Sequence, residues 1–258
     1  MNDIEQQRVH FESVANRYME SRQNANHLLL KNLIWSHFLR DKQWRRPLRV
    51  LEPMCGYAEG LKILEFHVGG LINYTGFDIS QTLVEHVRRS RPDVNVRVQD
   101  VTSFEIGDDS YDLIILIGGL HHVYRHLDSV LDRLSMALAP GGYFINFEPT
   151  HNNVVFRYVR GRIYKKNSLF DSDTERGFDL RDYNHAFTSR SFEQVDQIYP
   201  GLLSYVLYYN PDAFPMLNIG GERLVRALFA VDQLFFRNWI GRSLSFATLS
   251  LWRKSEDL

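Results

Sequence analysis

Residues 50–60 read VLEPMCGYAEG. Val50 and Leu51 have the look of a buried strand at its end. An acid, Glu52, stands where that strand finishes, and Gly56 and Gly60 follow with Cys55 and Ala58 between them. Such a stretch reads either as a nucleotide-binding loop short of glycines or as a strand running into an ordinary turn. The surrounding pattern decides between the two.

On the N-terminal side, residues 3–20 and 24–40 carry apolar side chains at helical spacing, and Pro47 closes the region. On the C-terminal side, strand and helix alternate. LRVLE (48–52) is a strand and YAEGLKILEFH (57–67) a helix. NYTGFD (73–78) is a strand and SQTLVEHVRRS (80–90) a helix, with Ser80 as its N-cap. VNVRVQD (94–100) is a third strand. YDLIILIG (111–118) is the most apolar run, as a strand covered on both faces should be. LDSVLDRLSMALAP (127–140) is a helix stopped by Pro140 and Gly141, and GYFINFE (142–148) a fifth strand. LLSYVLYYN (202–210) and SFATLSLWRK (245–254) read as the last two strands, around a helical stretch at 221–240. This alternation predicts an α/β fold: a doubly wound, Rossmann-like sheet of seven strands, mostly parallel, with an antiparallel last strand. Residues 1–258 read as one domain, with a helical lid over 1–44 and an insertion covering the site over 150–190.

Composition narrows the function. The 258 residues carry 30 basic and 31 acidic side chains, which argues against the basic footprint of a nucleic-acid binder. One cysteine allows no internal disulfide and no cysteine-rich zinc site, and suits a reducing cytoplasm. The N-terminus has no apolar signal core, and no run of about 18 apolar residues predicts a membrane span. No membrane partner is expected on that ground.

In an open parallel sheet, ligands bind outside the carboxyl ends of the strands. Those ends present Glu52, Asp78, Asp100, the segment Gly118–His122, and Glu148. Asp78 lies 26 residues after Glu52, a spacing that suits the two hydroxyls of a ribose. That alone also suits a nicotinamide cofactor. The dinucleotide pattern G-x-G-x-x-G is missing, however, and an acid at the start of the loop repels phosphate and attracts a cation. A cofactor with ribose, adenine and ammonium but no phosphate fits better, and S-adenosylmethionine is such a molecule.

The motifs then become specific. VLEPMCGYAEG resembles the acid-x-G-x-G-x-G loop of the class I S-adenosylmethionine-dependent methyltransferase family. GFDIS (76–80), VQDVTSF (98–104), YDLIILIGGLHHV (111–123) and LAPGGYFINFEP (138–149) resemble its later motifs in order. In the glycine frame this chain has Met54, Gly56 and Ala58, so only the middle glycine is kept. The resemblance implies Glu52 beside the cofactor's ammonium, directly or through water, and Gly56 passing close beneath the cofactor. It implies Asp78 on the ribose hydroxyls, with Ile79 against the adenine. Asp100 would accept from the adenine amino group with Val101 beside it, and Gly118 would use its backbone near the methionine part. Phe11, Ala15 and Tyr18 resemble a lid segment over the cofactor, with Arg22 nearby.

For the transfer step, His121 and His122 follow the fourth strand, where the acceptor should lie, and either suits a general base. His185, in RDYNHAFTSRSF (181–192), is a second base candidate. Tyr183 and Asn184 beside it, and Tyr158 in the basic-aromatic stretch NNVVFRYVRGRIYKK (152–166), are substrate-side candidates. No metal is expected. The expected activity is methyl transfer to oxygen, nitrogen or carbon of a small molecule. Use of the same cofactor without methyl transfer, and cofactor binding without turnover, stand as alternatives. The aromatic C-terminal part, with LFAVDQLFF (228–236), suits an apolar substrate, a homodimer interface or core.

Overall fold

A computed structural model describes residues 3–44, 46–105, 110–150, 152, 177–211 and 215–256. Two helices open the chain, α1 (Asp3–Ser21) and α2 (Ala25–Leu39). Then come β1 (Leu48–Pro53), α3 (Glu59–His67), β2 (Ile72–Asp78), α4 (Gln81–Ser90), β3 (Asn95–Val98) and β4 (Tyr111–Ile117). A short 3₁₀ segment, Leu120–His126, leads into α5 (Leu127–Ala137) and β5 (Leu138–Pro149). The described chain resumes with α6 (Leu180–Thr188), β6 (Phe192–Ile198), α7 (Leu203–Tyr208), α8 (Glu222–Gln233), α9 (Trp239–Leu244) and β7 (Ala247–Lys254).

The seven strands form one sheet in the order β3-β2-β1-β4-β5-β7-β6. β1 pairs in parallel with β2 and β4, β2 with β3, and β4 with β5, whereas β7 runs antiparallel to both β5 and β6. This is the expected doubly wound sheet with its reversed last strand. The order reverses between β1 and β4, which places the switch point at the two loops that begin with Glu52 and Gly118.

Side-chain alternation builds a core on each face. Val50, Leu113, Ile115, Ile145 and Phe147 point to the face covered by α2, α3, α7 and α8. Leu51, Ile114, Leu116 and Phe144 point to the face covered by α5 and α6. Both faces are sealed, so β4 is apolar throughout its middle, from Leu113 to Leu116.

Two expectations are corrected. LLSYVLYYN does not form the sixth strand; it forms α7, and the strand is FEQVDQI (192–198) upstream. Tyr205 and Tyr209, four apart, stack with ring centroids 4.5 Å apart on one helical face, while Ser204 and Tyr208 are buried. Packing at helical spacing overrides the strand preference of Tyr, Val and Leu. The second correction is smaller. α5 ends at Ala137, and Leu138 is already extended (φ −88°, ψ 132°). Pro140 disfavours helix in the residue before it and lacks an N–H, so the chain enters the sheet early.

Among the described residues no helix is long and apolar enough to cross a membrane. No group of three or more His, Cys, Asp or Glu among them could hold a metal ion.

Candidate functional site

The β1–α3 loop is built around Glu52. Its Oε1 accepts from Gly60 N–H (2.7 Å), and its Oε2 accepts from Leu61 N–H (3.0 Å) and Tyr74 O–H (2.8 Å). Gly60 and Leu61 lie in the first turn of α3, whose N-cap residue Ala58 has no side chain able to cap it. Glu52 therefore caps α3 from the neighbouring strand, and its charge meets the positive end of the helix. A Cβ on Gly60 would sit 2.8 Å from the Glu52 carboxyl carbon, which explains that glycine. Burial pushes Glu52 up to about 7, against the bonds from Gly60 and Tyr74. Three donors of the fold hold this carboxylate within the loop.

The loop takes left-handed backbone at Met54 (φ 53°), Gly56 (φ 53°) and Ala58 (φ 58°). These are the three positions of the glycine frame, so the backbone shape survives two substitutions at a cost of about 1 kcal/mol or more each. The Met54 side chain crosses to the β4 loop, where its sulfur would lie 2.9 Å from a Cβ on Gly119. Gly119 is what makes room for it. Cys55, between them, is buried, and its N–H donates to the Phe77 carbonyl (2.9 Å). Burial, with the Glu52 and Asp78 charges, raises its thiol well above the ordinary range. Glu59 anchors the loop to α2 through Lys31 (2.8 Å) and takes the Tyr57 hydroxyl (2.8 Å). Burial works to raise Glu59, but the Lys31 charge and hydrogen bond outweigh it and hold it at about 2.

Gly56 is different from Gly60 and Gly119. A Cβ built on it meets no atom within 4 Å. Gly118, at φ 63° after β4, is equally open: the nearest atom to its Cβ position is His121 Cε1 at 3.9 Å. Asp78, at the end of β2, is buried, and its Oδ2 takes the Gly56 N–H (2.8 Å) while Oδ1 takes Ser80 N–H (2.9 Å). The Ile79 N–H also bonds to this carboxylate, which keeps acceptor capacity to spare. Burial raises the Asp78 pKa. Two glycines bare toward open space, one of them bonded to a buried carboxylate, fit a ligand that carries vicinal hydroxyls across the β1–β4 switch point.

Asp100 accepts from Thr102 N–H and Oγ1 (2.8 Å each), and Val101 is packed in the core with Phe77 and Phe104. Ile79 is half-buried. Next to Asp100, the Gln99 Oε1 is buried with no hydrogen-bond partner, an acceptor left over at this edge. α1 crosses above: Gln7 donates to the His122 carbonyl, and Glu12 accepts from the Thr82 N–H (3.3 Å) and hydroxyl at the head of α4. Ala15 is buried, whereas the side chains of Phe11 and Tyr18 lie outside the described residues.

The β4 loop is held from β5. Glu148, fully buried, takes the N–H groups of Gly119 (3.0 Å) and Leu120 (2.8 Å) on Oε1 and His121 Nδ1 (2.8 Å) on Oε2. The Asn146 side-chain amide donates to it too (3.2 Å). Behind them, the Tyr183 hydroxyl donates to Asn146 Oδ1 (2.8 Å) and meets Ser250 Oγ (2.5 Å). Burial lifts Glu148 to about 7, against the bonds from Leu120 and Asn146. Apart from the His121 ring, every neighbour in this set can only donate, so the carboxylate fixes the Nδ1–H tautomer of His121. The His122 ring packs on that of His121, centroids 3.9 Å apart.

The structure thus brings Glu52, Met54, Gly56, Asp78, Gly118, His121 and His122 to one edge. It separates others. Tyr183 is 1% exposed and serves the core side of the network, not an open surface. Asn184 accepts from Gln197 on β6 (3.0 Å). His185 is exposed, two residues round the helix from Tyr183, so it points away from the Glu148 network. Tyr158 lies outside the described residues. Sequence reading named Glu148 only as a strand-end acid and missed its histidine. A polar Asn146 inside an apolar strand was the available signal.

A seven-stranded sheet in this order, with its last strand reversed and open glycines at the switch point, is the class I S-adenosylmethionine-dependent methyltransferase fold. Residues 50–142 match the family model described as a methyltransferase domain. The domain match and the sheet order support the resemblance to the class I S-adenosylmethionine-dependent methyltransferase family that the motifs carry. Demethylmenaquinone methyltransferase of Staphylococcus haemolyticus is 24% identical over 171 residues, covering 64% of this chain and 70% of that protein. A chain of the complex between the Haloferax volcanii Trm112 methyltransferase activator and a methyltransferase superposes with a TM-score of 0.62 at 14% identity, over 95% of this chain and 97% of the other. The [4+2]-cyclase SpnF superposes at 0.57 and 15% identity, over 87% and 80%.

Proposed function

We propose that this protein binds S-adenosylmethionine across the carboxyl edge of β1, β2 and β4 and transfers its methyl group to a small molecule. The observation that carries the reading is the open, left-handed pair Gly56 and Gly118 beside the buried carboxylate of Asp78. In this reading Asp78 holds the ribose hydroxyls, and the Gly56 and Gly118 backbones lie against the ligand. Ile79, Asp100 and Val101 form the adenine end. Met54 closes the wall between the two loops, Glu52 contributes negative charge from inside, and α1 forms the cover.

Bound there, the cofactor supplies an electrophilic methyl group on a sulfonium. The chain must then hold the acceptor in line, exclude water and take up any proton released. His121 suits the last task. Its Nδ1–H is committed to Glu148, so Nε2 carries the lone pair, and the carboxylate stabilises the imidazolium that forms. The names of the Staphylococcus relatives favour a small-molecule acceptor over a macromolecule.

Calorimetry with S-adenosylmethionine tests the binding step. A stoichiometric isotherm for the wild type that Asp78→Ala abolishes is expected, and no heat with either protein ends the proposal. Incubation with candidate acceptors should then release S-adenosylhomocysteine. Use of the fold by a cyclase keeps a second reading in view, a reaction in which no methyl moves. Methylthioadenosine, or intact cofactor beside a changed substrate, would identify it.

A further inference from the structure

The segment 215–244 carries an apolar surface that the described residues leave exposed. α8 already buries one face, through Val225 and Phe229. Its opposite side repeats apolar residues three or four apart, at Leu224, Ala227, Val231 and Leu234, all exposed. Leu234 is 73% exposed, Trp239 at the head of α9 is 76% exposed, and Met216 before α8 is 89% exposed. A helix with two apolar sides has been built to cover one of them with something else.

The charges around the patch choose the partner. Residues 215–244 contain four exposed arginines, of which Arg226 pairs with Glu222 (2.8 Å) and Arg237 with Asp196 on β6, so the excess positive charge rests on Arg223 and Arg242. The same segment contains two acids. Asp232 is buried and accepts from Ser204 and Leu203, so Glu222 alone is an exposed acid. A two-fold dimer through this patch would set one set of arginines against another. An anionic surface meets no such repulsion. Protruding Trp, Leu and Met side chains with Arg223 and Arg242 in the same segment match the interface of a lipid bilayer, where the aromatic ring sits at headgroup level and the arginines meet lipid phosphates.

We propose that α8, α9 and the turn before them form a peripheral docking surface for anionic lipid membranes. The expectation of no membrane partner rested on the lack of a spanning run, and a surface patch needs none. Binding here is independent of the methyl-transfer reading.

The full chain is mixed with vesicles of phosphatidylcholine, with and without phosphatidylglycerol, and floated through a density gradient. Trp35 and Trp252 are fully buried, so Trp239 is the reporter most open to a change of surroundings. Flotation with the anionic vesicles, a blue shift in emission, and quenching by brominated acyl chains are the expected results, all weakened by salt. Leu234→Gln with Trp239→Ala should lower vesicle affinity about tenfold or more. Arg223→Gln with Arg242→Gln should remove the preference for anionic lipid. These positions are exposed, so an unchanged melting temperature checks that each variant folds. No flotation with either vesicle overturns the proposal. So does a wild-type dimer in light scattering that the apolar variants split, which would assign the patch to a second copy.

Discussion

Glu148 draws its partners from two strands' worth of loop: the Gly119 and Leu120 amides, Asn146 and the His121 ring. Glu148→Gln places an amide among donors and no longer fixes the His121 tautomer. Turnover should fall about 10- to 100-fold through kcat. The dissociation constant for S-adenosylmethionine should hardly move, and ¹⁵N spectra should show His121 changing its tautomer mixture. A variant with normal turnover and an altered spectrum would leave His121 out of catalysis. The Met54–Gly119 contact makes a second prediction. Gly119→Ala puts a Cβ 2.9 Å from both Met54 Sδ and Leu116 Cδ2, and should destabilise by about 1–3 kcal/mol. Adding Met54→Gly should recover about 1 kcal/mol of that, read from denaturant midpoints in a double-mutant cycle. At this scale the sequence showed which acids end the strands, because period-two burial marks the ends. It did not show what those acids touch. Glu52 and Glu148 are distant from their donors along the chain, and only the sheet order brings them together.

Elements meet at the junction of α2 and α7. His27 is buried there, its Nδ1 donating to the Tyr209 carbonyl at 2.9 Å, with Arg22 on the same carbonyl. Burial, helped by the Arg22 charge, lowers its pKa to about 4. The ordinary value is 6.5, so the unfolded chain takes up the proton first as pH falls. Stability from this residue is complete above pH 6.5 and is lost between 6.5 and 4, by roughly 3 kcal/mol at most. Glu52 and Glu148, raised to about 7, act with the opposite sign over much of that window. The difference between wild type and His27→Gln, measured by thermal melts across pH, isolates the histidine. That difference should shrink as the pH falls from 6.5 to 4; a constant difference would contradict the assignment. Elements were legible where burial was regular. β1 to β5 and their helices follow from alternation and helical spacing. FEQVDQI was passed over because β6 is an edge strand whose polar residues face water, and α7 was misread because its tyrosines and leucines favour either state.

For the whole molecule, a ligand that binds the folded state alone must raise its stability. S-Adenosylmethionine at a hundred times its dissociation constant should add about 2.7 kcal/mol. For a chain of this length that is about 5–10 °C in Tm. Asp78→Ala should remove the shift, and its persistence in that variant would place the cofactor elsewhere. The doubly wound seven-stranded sheet and its reversed last strand were readable beforehand, whereas the order of its strands was not. The outer surface was not, since nothing in LFAVDQLFF (228–236) says which side of its helix meets the core.

Cys55 is the chain's sole cysteine, and it lies sealed beneath the loop between Met54 and Gly56. A thiol reagent can reach it only when that loop lifts. The rate of alkylation under native conditions is therefore a clock for the opening of the cofactor edge, built in without engineering. Bound ligand should slow the clock in proportion to occupancy. A dye placed on any added surface cysteine would also report from that position alone, because the native thiol reacts on a slower timescale.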